Sequence, residues 1–190
     1  MRYLIALCFA AGFLLCIDPP GELRLSDSVI AEFSGQLSAN IPSCYKNGSY
    51  VLGEDLDAVK SSSPARTTFF EKDGLSYLSW KEYNPATSCD TLVKCTFRSD
   101  VLVGLTAISK FENPFSEKTA LIDAAQHEYS CIEEIRQVLE FGHNLSYVEE
   151  DLSHIQEFRL IKENSKYSGI FYEIRYPDAS FSTNPPESQS

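Results

Sequence analysis

Thiols, imidazoles and carboxylates are the side chains here that bear on chemistry, and the thiols are the most informative. Cys8 and Cys16 sit in an apolar leader, which leaves Cys44, Cys89, Cys95 and Cys131 for the body of the chain. An even number of cysteines in an exported chain points to disulfides. Four cysteines allow three pairings, and the sequence does not select one. The preferred arrangement joins Cys89 to Cys95, closing a small loop, and Cys44 to Cys131, tying the N-terminal part to a later helix. Zinc is the rival chemistry. No Cys-x-x-Cys occurs, and His127, His143 and His154 show no paired-ligand spacing with the thiols, so no metal or cofactor is expected. Gly-x-Ser-x-Gly, a phosphate-binding glycine loop and His-Glu-x-x-His are also missing from the sequence. Asn47-Gly48-Ser49 and Asn144-Leu145-Ser146 are candidate glycosylation sequons at Asn47 and Asn144.

The disulfide reading rests on export. Met1, Arg2 and Tyr3 precede an uncharged apolar run over residues 4–15, the polarity order of a secretory leader. Asp18, Pro19 and Pro20 stop the run well short of the roughly 20 apolar residues a membrane span needs. Residues 1–16 are therefore expected to be removed, and no membrane partner is expected. The chain of 190 residues carries a net charge of −11, which becomes −12 when Arg2 leaves with the leader. Such a field repels phosphate backbones, and no three adjacent basic residues occur to offset it.

These groups need elements to position them. Residues 17–43 read as an extended leader segment, 44–176 as one globular domain and 177–190 as a disordered tail. A turn at Asn47-Gly48 and a short helix over 54–60 open the domain, and Ser63-Pro64 ends that helix. Residues 67–71 and 75–80 read as a hairpin about Lys72-Asp73-Gly74. Residues 91–98 and 101–111 read as two strands joined at Ser99-Asp100. From Ser116 the apolar period becomes helical through Leu121, Ala125, Ile132, Ile135 and Leu139, with Ser130 and Glu133 as a capping box and Gly142 as the stop. Strands over 154–161 and 169–176 close the domain, separated by the polar stretch 162–168. The fold class is α+β: an antiparallel sheet against one main helix, stabilised by disulfides.

The last hairpin carries a resemblance. Glu157-Phe158-Arg159-Leu160-Ile161, then Tyr167-Ser168-Gly169, then Ile174-Arg175-Tyr176, resembles the catalytic strand-loop-strand of small secreted fungal guanyl-specific ribonucleases. Cys44, the turn at Asn47-Gly48 and the helix over 54–60 are similar to that family's opening. The same pattern looks like the ribonuclease-like secreted effectors of powdery mildew fungi, which generally lack the catalytic set. The resemblance implies a ribonuclease-like sheet, Glu157 as general base and Arg175 as the cation over the phosphate. Phosphodiester transfer also needs an acid for the leaving oxygen. The family has histidines after an early-strand tyrosine and near the C-terminus. Here Tyr77-Leu78-Ser79 offers Ser79, and no histidine follows His154.

Read without the resemblance, Glu157 and Arg159 alternate with Phe158 and Leu160, while Glu173 and Arg175 alternate with Ile174 and Tyr176. Two such strands side by side would make cross-strand ion pairs on a solvated face. The leading expectation is a secreted, noncatalytic interaction protein, a fungal virulence effector that reaches a host protein, or RNA, and is taken up into host cells. The alternatives are an active secreted ribonuclease using Glu157 and Arg175, and a small-ligand carrier with a closed barrel of eight strands.

Overall fold

The computed structural model describes residues 40–141, 146–150 and 153–177. The leader with Cys8 and Cys16, the tail from residue 178, His143 and the sequon at Asn144 lie outside these residues. Two short strands, β1 (Ile41–Pro42) and β2 (Val51–Leu52), pair around a 3-10 turn at Lys46–Gly48. Helix α1 (Leu56–Ser62) follows, its N-cap Asp55 accepting a 2.8 Å hydrogen bond from the Asp57 backbone N–H. Ser63 is extended ahead of Pro64 and ends the helix.

Seven strands then form one antiparallel sheet: β3 (Thr68–Lys72), β4 (Leu75–Asn84), β5 (Cys89–Arg98), β6 (Val101–Phe115), β7 (Ser146–Glu150), β8 (Ile155–Glu163) and β9 (Lys166–Arg175). Their order is β3-β4-β5-β6-β9-β8-β7. Three two-residue turns at Asp73-Gly74, Ser99-Asp100 and Asn164-Ser165 have both residues at positive φ. That conformation matches the right-handed twist of the strands it joins, which fixes these hairpins in register. Among the described residues β3 and β7 are the sheet's two edges, and no pairing between them closes it into a barrel.

Alternation sorts the two faces. Val93, Cys95 and Phe97 on β5, Leu105 and Ala107 on β6, Phe158 on β8 and Ile170, Tyr172 and Ile174 on β9 point into the core. Tyr129 packs over this face, 5.7 Å from Phe158 and 5.5 Å from Tyr172 between ring centroids. Its hydroxyl meets Ser109 Oγ at 2.7 Å, and the Tyr172 hydroxyl accepts from the Cys44 N–H at 2.8 Å. The buried polar atoms of this core are thus paired, as burial requires.

Two expectations are corrected. The helical period after Ser116 yields α2 (Lys118–Ala125) and α3 (Arg136–Phe141) separated by turns, in place of one main helix. The intervening backbone is claimed from outside: the Glu128 carbonyl accepts from Lys46 N–H and Ser130 N–H donates to the Cys44 carbonyl, both at 2.9 Å. Tyr129 also bridges to Tyr45, and Ser130 Oγ donates to the Cys44 carbonyl at 3.2 Å, so Ser130 does not act as a helix cap. Second, Cys89 and Cys95 are both buried free thiols. They are six residues apart on β5, about 20 Å along an extended strand, and beyond disulfide reach. The Cys44–Cys131 disulfide is present and closes over 87 residues of sequence. The polar stretch after β8 also proves shorter than its composition implies, because β8 and β9 run on to a two-residue turn.

Candidate functional site

Glu157 and Arg175 lie on neighbouring strands and on the same face of the sheet, the one away from Phe158 and Tyr172. The register puts Glu157 across from Glu173, Arg159 across from Phe171 and Arg175 across from Ile155. Like charges therefore oppose each other, and the ion pairs run along each strand and not across. Arg159 Nε lies 2.9 Å from Glu157 Oε1, and Arg175 Nε 3.4 Å from Glu173 Oε2. Arg159 also stacks on Phe171, its guanidinium 4.0 Å from the ring centroid, as their cross-strand position allows. The charged face expected from alternation is present but largely half-buried, and the cross-strand pairing expected with it is corrected.

Glu173 is the buried member of this set, with 5% of its surface exposed. Burial raises its carboxyl pKa above the usual range; Arg175 pulls it down and Glu157 pushes it up. Thr106 Oγ1 donates to it at 3.5 Å from β6. Ser79, the residue offered where the ribonuclease family has histidine, donates its hydroxyl to the Val93 carbonyl at 3.1 Å. His154 precedes β8 and meets Ser153 Oγ through Nδ1 at 3.0 Å. His127 lies in the turn after α2, on the opposite side of the sheet from Glu157.

A second polar constellation sits where the N-terminal segment crosses the end of β4. A cleft of about 300 Å³ is lined by Tyr45, Lys46, Asn47, Glu82, Asn84 and Glu128 among others. The Glu82 carboxylate accepts from Trp80 Nε1 at 2.6 Å and from the Tyr45 hydroxyl at 3.2 Å, and pairs with Lys46. Glu128, 3% exposed, accepts from Asn84 Nδ2 at 2.5 Å and from Thr87 Oγ1 at 3.1 Å. Desolvation lowers the Lys46 pKa, while Glu128 opposes that shift. The Tyr45 hydroxyl is pushed far above its ordinary value, chiefly by burial. Asn47, the sequon residue, is exposed at the rim with φ 57°.

Sequence reasoning missed this cleft, although it carried one usable signal. Joining Cys44 to Cys131 brings residues 45–46 beside 128–129, and the buried Glu128 follows from that neighbourhood. Both Glu82 oxygens are engaged by fixed donors, whereas the two bonds to Glu128 converge on its Oε1, so the donors order the walls of the cleft. Among the described residues no group of three or more His, Cys, Asp or Glu could hold a metal ion, and no helix is long and apolar enough to cross a membrane.

No protein-family model, no curated protein and no solved structure matches the chain.

Proposed function

We propose that this chain is an exported, noncatalytic interaction protein, a virulence effector of ribonuclease-like scaffold that binds a host protein. The observation that carries the reading is the pairing of Glu157 with Arg159 and of Arg175 with Glu173. Glu157 is held by the Arg159 guanidinium and Arg175 lies against the Glu173 carboxylate, so each already has an ionic neighbour where a substrate would have to bind. The scaffold part of the proposal is supported by three placements. Glu157 and Arg175 share a face on adjacent strands, Tyr129 and the turns around it pack on the other face, and the Cys44 N–H donates a hydrogen bond to the Tyr172 hydroxyl on β9.

The same shared face is what favours the second reading, an active ribonuclease with Glu157 as base. RNA cleavage by the wild type and by Glu157→Gln separates the two. The binding reading predicts no cleavage above a buffer blank by either protein. Cleavage by the wild type that disappears in the variant overturns it.

A further inference from the structure

Among the described residues the sheet ends on β3, and all five residues of that strand are exposed, including Phe69 at 45% and Phe70 at 42%. An edge strand is a template for further pairing unless shortness, charge, a proline, a bulge or a cover blunts it, and the charges of β3, Glu71 and Lys72, sit together at one end. β3 pairs with β4 without a register shift and contains no proline.

The hairpin fixes which backbone groups are on offer. Lys72 and Leu75 flank the two-residue Asp73-Gly74 turn and so form a hydrogen-bonded pair. Counting back along an antiparallel ladder, Phe70 and Thr68 also bond to β4, whereas the N–H and C=O groups of Glu71 and Phe69 point away from the sheet. These two residues are the hydrogen-bonding edge.

We propose that a second copy of this chain pairs with β3 about a two-fold axis through Phe70. An antiparallel partner of the same sequence can bond both offered residues in one register, with Phe69 of each copy opposite Glu71 of the other. Four backbone hydrogen bonds form, and the two Phe70 side chains meet in the non-hydrogen-bonded position, where strands bring Cα atoms to about 4.5 Å. Phe70 already stacks on Tyr77, with centroids 4.7 Å apart and planes at 12°. The dimer therefore extends an existing ring pair into a row of four aromatic rings across a continuous sheet. The two Phe70 rings on the axis, each already stacked on a Tyr77, favour this chain over an arbitrary extended peptide as the partner. This inference does not depend on the proposed function.

Sedimentation of the full exported chain across a concentration series tests it, together with Phe70→Lys, Phe70→Cys and Thr68→Cys. The wild type is expected to dimerise, and Phe70→Lys to weaken dimerisation by about tenfold or more through like charges at the axis. Under mild oxidation Phe70→Cys is expected to cross-link to its twin, since Cα atoms about 4.5 Å apart suit a disulfide. Thr68→Cys, opposite Lys72 in this register, is expected to cross-link far more slowly. A wild type that stays monomeric at about 1 mM overturns the proposal. So does a dimer indifferent to Phe70→Lys, or equal cross-linking at the two cysteine positions.

Discussion

Glu157 stands directly across from Glu173 on the neighbouring strand, two carboxylates facing each other on the sheet face that also carries Arg175. Each is served by the arginine two residues further along its own strand. The arrangement gives Glu157 and Arg175 each an oppositely charged neighbour on its own strand.

Burial raises the Glu173 pKa above its ordinary value of 4.5, so the folded chain holds that proton more tightly than the unfolded chain. The stability this supplies is fully present below pH 4.5 and is lost as pH rises through the folded value. Glu173→Gln cannot titrate. The melting temperature of the wild type relative to Glu173→Gln should therefore fall between pH 4 and pH 7. A difference that holds constant, or that grows with pH, would show that Arg175 neutralises the carboxylate completely.

Thiol titration of the denatured, unreduced chain without residues 1–16 should find two thiols, Cys89 and Cys95, beside the Cys44–Cys131 disulfide. In the folded protein both should react slowly, since burial pushes Cys89 up to about 11 and Cys95 higher still. Cys131→Ser should cost roughly 2–5 kcal/mol by releasing the loop that the bridge closes. No titratable thiol on denaturation would contradict the extended β5.

The strands were readable because alternation and two-residue turn chemistry are local signals. Phe158, Leu160, Ile170 and Tyr172 announce their face by period alone, and Asp73-Gly74 marks its own turn. The stretch after Ser116 was not readable in the same way. Its apolar period is helical, but Lys46 and Cys44 take backbone bonds from Glu128 and Ser130, and a local pattern holds no record of such distant partners. The pairing of Cys89 with Cys95 failed because closeness in sequence is distance along a strand. β7 was passed over, because its five residues are too few to show a period. At the candidate site the sequence supplied Glu157 and Arg175 and their shared face, while the same-strand pairs depended on a register that puts Glu157 opposite Glu173.

Gly169 closes the Tyr167-Ser168-Gly169 segment for a packing reason. A Cβ built there would stand 2.1 Å from the Ser109 carbonyl oxygen on β6, a contact that only backbone movement relieves. Gly169→Ala should destabilise the chain by about 1–3 kcal/mol or more, as overpacking does. Urea unfolding measures this. An unchanged midpoint would mean that β6 and β9 separate freely at this point.

The central claim is that Glu157 and Arg175 are spent on their neighbours and perform no phosphodiester chemistry. It is tested most directly by turnover of a guanylyl dinucleotide by the wild type and by Arg175→Gln between pH 5 and pH 8. Each missing acid or base is worth roughly 10²–10⁴-fold in rate. No product above the blank is expected from either protein at any pH, with no bell-shaped profile emerging in the wild type. Wild-type turnover with a bell-shaped pH dependence, abolished in Arg175→Gln, would contradict it and make this face an active site.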